Sequence, residues 1–63
     1  MKIYDLQNYI NNRTATVHSE GDQFTVHCFY KGHIDWNIGI LTYRTMGNAL
    51  HVAMNYITER IGK

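Results

Sequence analysis

The chain has 63 residues, of which 44% are hydrophobic, and its six Lys/Arg and five Asp/Glu residues give a formal net charge of +1. This composition is typical of a globular protein and argues against a disordered chain. So balanced a charge gives no reason, from composition alone, to expect a nucleic-acid or membrane partner. The length predicts a single small domain over residues 1–63.

The sequence contains no predicted membrane segment. No apolar run approaches the roughly 18 residues that a spanning helix needs, and the N-terminus lacks the apolar core of a signal peptide. The single cysteine, Cys28, cannot form an internal disulfide. We therefore expect a cytoplasmic protein in a reducing environment.

The first predicted element is a helix over residues 3–12. Its apolar residues recur at helical spacing: Ile3, Leu6, Tyr9 and Ile10. A strand over Lys2–Asp5 is the alternative interpretation of the same segment.

Two strands are predicted next, over residues 14–19 and 24–30, where apolar and polar side chains alternate. A two-residue loop at Gly21-Asp22 keeps all the apolar side chains on one face. A loop of odd length would turn one apolar set towards water, because a one-residue slip reverses every side chain of a strand. The resulting pairs are Val17 with Val26 and Ala15 with Cys28.

The same parity test predicts a third strand over residues 34–40, after a three-residue loop at Lys31-Gly32-His33. This register pairs Tyr30 with Ile34, Cys28 with Trp36, and Val26 with Ile38. Trp36 and Phe24 are therefore expected in the core, and Cys28 is expected to be a small buried thiol.

A final helix is predicted over residues 46–61, with Thr45 as its N-terminal cap. Its apolar residues cover an arc of roughly 200°, wider than one sheet face needs. The surplus is expected to meet the first helix, a partner, or a second copy of the chain in a homodimer that packs around Val52 and Tyr56.

These elements predict an α+β fold, a three-stranded antiparallel meander with helices on one face, in the order α-β-β-β-α. That order resembles the double-stranded-RNA-binding domain, which implies a small nucleic-acid-binding regulator as an alternative function. In that family, lysines at the start of the last helix bind phosphates of the RNA. The matching segment here, residues 45–49, has no cation, so the family's binding residues do not carry over.

The second sheet face is predicted to lie open, with histidines at its centre. The side chains assigned to it are Thr16, His18, Thr25, His27, Phe29, Asp35 and Asn37. His18 and His27 are diagonal neighbours in this register and can approach each other. A metal or acid–base site is one interpretation of this pair. Ordinary surface histidines are the one we favour, because structural zinc sites use closely spaced Cys/His pairs.

Neither catalysis nor a cofactor is expected. Parity places Cys28 inward and His27 outward, so they do not form a nucleophile pair. The sequence has no carboxylate pair, glycine-rich phosphate loop or hydrolase motif.

Cations are expected to gather at one end of the molecule, as possible contacts for phosphates or an acidic partner: Arg13, Lys31, His33, Arg60 and Lys63. Asp35 and Glu59 lie near enough to offset part of this charge. A nucleic-acid interface usually carries a larger excess of cations.

The predicted function is that of a non-enzymatic protein-binding module. A strand followed by a helix with the following residues resembles small phage-encoded regulators of host proteins: Thr45, Ala49, Leu50, Ala53, Tyr56 and Ile57. That resemblance implies an inhibitor or modulator that masks a surface of a larger host protein. The expected contacts are His27, Phe29, Lys31 and Asn37, or alternatively an edge strand.

Overall fold

The computed structural model describes residues 1–58, and it contains five strands followed by a helix. The strands are β1 (Lys2–Asn8), β2 (Arg13–Glu20), β3 (Gln23–Tyr30), β4 (His33–Ile34) and β5 (Ile40–Tyr43), and the helix is α1 (Met46–Ile57). The predicted order α-β-β-β-α is therefore wrong. The observed order is β-β-β-β-β-α, so the likeness to the element order of the double-stranded-RNA-binding domain is lost with it.

The segment predicted as the first helix is strand β1, antiparallel to β2. A bulge between Lys2 and Tyr4 inserts Ile3 as an extra residue and shifts the alternation of side chains by one position. Both Ile3 and Leu6 therefore pack against the core, although they are three residues apart. The bulge therefore produces, within a strand, the three-residue spacing of core-facing residues that is typical of a helix.

The β2–β3 hairpin has the predicted register. The loop is Gly21-Asp22, since Glu20 lies opposite Gln23. Gly21 has a φ of 65°, a left-handed value that such a loop needs at its first position and that glycine adopts without strain. The predicted pairs are confirmed: Val17 with Val26, and Ala15 with Cys28.

The predicted third strand is wrong in loop length and in register. Lys31 and Gly32 have φ values of 54° and 84° and form a two-residue turn, so that Tyr30 lies opposite His33. β4 then ends at Ile34, and the rest of β3 pairs with β5 instead, placing Val26 opposite Leu41. Residues 35–39 leave the sheet between the two short strands. We call them the Trp36 loop.

Helix α1 covers one face of the sheet. Thr45 caps it as predicted, because its hydroxyl oxygen accepts a hydrogen bond from the Asn48 amide at 3.3 Å. The core is formed by small or medium side chains from the helix and the two central strands: Ala15, Val17, Val26, Cys28, Ala49, Ala53 and Tyr56. Cys28 is buried, as predicted, whereas Phe24 is only partly buried at the core's edge.

Part of the wide apolar arc predicted for α1 remains uncovered. Met46 and Met54 are exposed and Val52 is half-buried. Tyr56 lies inside the core and offers no surface to a second copy of the chain. The predicted continuation of the helix through residues 59–61 lies outside the described residues.

The sheet face opposite α1 carries the predicted threonines and histidines of β2 and β3, together with Phe29. Thr16 and Thr25 are buried even there, at 8% exposure each, between neighbouring strands. We call this surface the open face. Within residues 1–58, no helix is both long and apolar enough to cross a membrane.

Candidate interaction surface

Three connections meet at one end of the sheet: the turn between β1 and β2, the turn between β3 and β4, and the Trp36 loop. The Lys31 amide donates to the Asn12 carbonyl at 2.9 Å, which joins the first two. We call this surface, formed by residues 9–13, 30–32 and 35–39, the loop end.

Asp35 fixes the shape of the Trp36 loop. Its amide donates to the Cys28 carbonyl at 2.8 Å, and its own carbonyl accepts from Ile38 and Gly39 at 3.0 and 2.6 Å. Its Oδ1 atom accepts from the Asn37 amide at 3.1 Å. Both the main chain and the side chain of one residue therefore hold the loop in place.

Tyr56 supports the loop from inside the core. Its hydroxyl is hydrogen-bonded to Asp35 Oδ2 at 2.8 Å and to the Phe29 carbonyl at 3.0 Å. Burial, and then the hydrogen bond to Asp35, raise the pKa of Tyr56 well above its usual value, so the hydroxyl remains a donor at neutral pH. Asp35 thus faces Tyr56, and its predicted place on the open face opposite Phe29 is wrong. Ile34 takes that place.

The C-terminal end of α1 is fixed to the same region. Asn8 and Asn11 each donate a side-chain N–H to the Ile57 carbonyl, at 2.8 and 2.9 Å. Arg13 lies over the Tyr56 ring, 4.8 Å from its centroid, and donates to the Tyr56 carbonyl at 3.3 Å. These donors satisfy carbonyl groups that a helix end leaves without intrahelical partners. Arg13 therefore has a structural role beside its predicted role in binding anions.

Large apolar side chains are exposed to solvent around these hydrogen-bonded connections. Trp36 is 77% exposed, Tyr9 85%, Ile10 95% and Tyr30 44%. The predicted positions of Trp36 in the core and of Tyr9 and Ile10 on a helical stripe are therefore wrong. Turn chemistry offered a signal, because Asn11-Asn12 after Tyr9-Ile10 favours a turn over a continuing helix.

An open groove of about 460 Å³ lies among these connections. Its lining residues are Ile10, Asn11, Asn12, Arg13, Tyr30, Lys31, Asp35 and Asn37. Of the predicted partner contacts, the groove brings together Lys31 and Asn37. Lys31 also lines a second groove of about 440 Å³, on whose rim Tyr9 lies.

His27 and Phe29, the other predicted contacts, lie on the open face and are half-buried. The approach predicted for the two histidines is confirmed: the His18 and His27 rings stack with centroids 4.2 Å apart. The Phe29 ring lies next to His27, with the two ring centroids 6.5 Å apart. His18 Nε2 lies 2.9 Å from the Thr16 hydroxyl. These rings form a row separate from the groove.

The histidine stack predicts a loss of stability in acid. Burial, then the nearby charge of His27, lower the pKa of His18 below its ordinary value of 6.5; the N-terminal amine and Lys2 add to this, and Glu20 opposes it. The unfolded chain therefore binds the proton more readily than the folded chain. The free energy of unfolding therefore keeps its full value above about pH 6.5, where His18 is neutral in both states, and decreases as the pH falls below that value.

We expect the melting temperature to fall between about pH 7.5 and about pH 5.5, and we expect His18→Gln to make this fall smaller. The matched control is His51→Gln, on the exposed face of α1. Equal pH dependence in the wild type and in His18→Gln would show that the stack has no electrostatic cost.

The remaining candidate chemistry is limited. Burial raises the pKa of the Cys28 thiol to about 11, so it remains protonated at neutral pH. Among residues 1–58, no three His, Cys, Asp or Glu side chains are grouped so that they could hold a metal ion. The predicted contacts Arg60 and Lys63 lie outside the described residues.

No protein-family model matches the chain, and neither a curated protein nor a solved structure shows significant similarity to it.

Proposed function

We propose that this protein is a non-enzymatic binding module that covers a surface of a larger protein with its loop end. The observation that carries the proposal is the state of Trp36: its side chain is 77% exposed, while the loop around it is fixed by the hydrogen bonds of Asp35. The main anchor is thus Trp36, and Ile10 and Tyr30 are further exposed apolar side chains of the loop end.

Two physical arguments support this role. Tryptophan and tyrosine are enriched among the residues that carry most of the binding energy at protein interfaces. A loop already held in one conformation also loses less entropy on binding than a loose one. An exposed indole on a well-fixed loop is therefore a favourable anchor for a protein partner.

The sheet edges suit strand addition less well than the sequence suggested. The outer edge of β3 is covered by two short strands, and the Trp36 loop separates them. At the opposite edge, β1 carries a bulge and the Lys2–Asp5 ion pair. Interruptions and charges of this kind protect edges from pairing. We therefore propose contact through side chains rather than through an added strand.

The compartment and the kind of partner are inferred from the sequence. We propose that the protein acts in a reducing cytoplasm, which suits its single free thiol at Cys28. Its resemblance to small phage-encoded regulators suggests that the partner is a host protein, inhibited or modulated by steric masking.

A nucleic-acid-binding regulator is the second candidate. The observation that favours it is the proximity of Lys31 to exposed aromatic rings: its ammonium lies 5.5 Å from the centroid of Tyr30, and Tyr9 lines a groove with it. Single-stranded nucleic acids bind where cations and stacking rings occur together. This candidate predicts an affinity that falls steeply with salt and is lost in Lys31→Glu combined with Arg60→Glu.

Affinity capture from a bacterial lysate, with and without nuclease, tests the two candidates. We expect a protein partner that survives nuclease treatment and is lost with Ile10→Asp, because a charge replaces an exposed anchor. The matched control is Met46→Asp, a similar change at the opposite end of the molecule. A partner that disappears with nuclease would favour the second candidate, and equal capture by Ile10→Asp would exclude the loop end as the contact.

A further inference from the structure

We infer that the groove at the loop end receives an acidic segment of the partner protein, with carboxylates against Lys31 and apolar side chains against Ile10 and Tyr30. This inference rests on the proposed function and deepens it, because it states the chemistry of the partner.

The charges of the groove support an anionic occupant. Its charged residues are Arg13, Lys31 and Asp35. Asp35 is already engaged, since one carboxylate oxygen accepts from Tyr56 and the other from the Asn37 amide. Lys31 is exposed and borders both grooves. A ligand that enters therefore meets the exposed ammonium group of Lys31, together with one carboxylate that already accepts two hydrogen bonds within the protein.

The other described acids lie elsewhere. Glu20 ends β2 and Asp22 lies in the β2–β3 loop, both at the opposite end of the sheet. Asp5 lies in the outer strand β1 and pairs with Lys2 at 3.4 Å. Within residues 1–58, Asp35 is thus the only acid that lines this groove. Lys31 gives the groove an exposed cation that attracts a negatively charged segment.

The position of Lys31 is set by the backbone. Its φ of 54° is a left-handed value that Gly or Asn adopts more easily. Its amide is bonded to Asn12, so the lysine is fixed at its base between the two grooves. A long cationic side chain at a position that favours a small residue points to a role for its charge.

The neutral lining also suits a peptide carboxylate. The side chains of Asn12 and Asn37 are exposed beside Lys31 and can donate hydrogen bonds. Ile10 and Tyr30 provide apolar surface in the same groove. An extended chain that alternates acidic and apolar residues matches this mixture better than a nucleic-acid backbone, whose phosphates would need more cations than the groove has.

A titration followed by nuclear magnetic resonance tests the inference. The probes are a short blocked peptide that alternates Asp-Glu pairs with Leu, the same peptide with Asn and Gln in place of the acids, and oligothymidylate. We expect the acidic peptide to shift the signals of Lys31, Asn12 and Asn37. Lys31→Gln should weaken its binding about two- to fivefold, as for other exposed ion pairs. The matched control, Lys2→Gln on β1, should leave it unchanged.

The inference would be overturned by equal binding of the uncharged peptide, by stronger shifts at the loop end with oligothymidylate, or by the absence of a shift at the groove with the acidic peptide. A shift that grows with protein concentration alone would assign the groove to Glu20 and Asp22 of a second copy, and would also overturn it. The proposed function fails separately, if Ile10→Asp captures the same partner as the wild type.

Discussion

Replacing Trp36 with alanine is expected to weaken binding to the captured partner by roughly 30-fold or more, the effect of losing an anchor worth about 2 kcal/mol. The folded state should lose little, because the indole is 77% exposed and the loop is held by Asp35. Affinity is measured by titration calorimetry with the purified partner. Stability is measured by thermal unfolding of the wild type and of Trp36→Ala.

The matched control for this substitution is Phe29→Ala, which removes an aromatic ring from the open face. We expect Phe29→Ala to retain most of the affinity. If Phe29→Ala abolished binding while Trp36→Ala did not, the contact would be the open face with His27 and Phe29, as the sequence suggested, and the loop end would not be the interface.

Replacing Tyr56 with phenylalanine is expected to lower the free energy of unfolding by about 1–3 kcal/mol. The substitution removes the buried hydroxyl that donates to the Phe29 carbonyl and to Asp35 Oδ2. In a chain of this size, such a loss lowers the melting temperature by at least about 4 °C. Denaturant and thermal unfolding measure both quantities.

Tyr56→Phe should also weaken partner binding, although Tyr56 is buried and cannot contact the partner. The reason is that Asp35, released from the hydroxyl, holds the Trp36 loop less firmly through its remaining hydrogen bonds. The loss should not add to that of Trp36→Ala in the double variant, because both act through the same indole.

The control is Tyr4→Phe, which removes a hydroxyl from a ring that is 38% exposed. It should change neither stability nor binding. A Tyr56→Phe protein that is less stable yet binds at full affinity would show that the hydrogen bond stabilises the fold without positioning Trp36.

The parts of the fold that the sequence predicts correctly depend on local patterns. The alternation around Gly21-Asp22 determines the β2–β3 register, because only one loop parity buries Val17 and Val26 together. The cap at Thr45 likewise involves only a hydrogen bond across three residues. Such features require no knowledge of distant parts of the chain.

The helix predicted over residues 3–12 is wrong because of one inserted residue in β1. The bulge after Lys2 directs both Ile3 and Leu6 to the core, and their spacing then matches a helix as well as a strand. Periodicity alone cannot distinguish these two cases over so short a segment. The strand over Lys2–Asp5, the alternative interpretation, was closer to the structure.

The candidate surface was missed because its geometry depends on residues far apart in the sequence. The alternation of Ile34, Trp36, Ile38 and Ile40 favours a continuous strand. Asp35 instead bonds to Tyr56, 21 residues away along the chain, and turns the backbone out of the sheet. That contact exposes Trp36, which parity had placed opposite Cys28. Lys31 and Asn37 are predicted as contacts, but their places beside the groove follow from two different turns, the Lys31-Gly32 turn and the Trp36 loop.

The most direct measurement is the fluorine resonance of the protein labelled with fluorotryptophan, recorded with and without the unlabelled partner. Because the chain has a single tryptophan, the spectrum reports on position 36 alone. We predict a solvent-exposed resonance in the free protein that shifts and loses its sensitivity to heavy water in the complex. A resonance that remained unchanged when the partner was bound at saturation would contradict the assignment of Trp36 as the anchor.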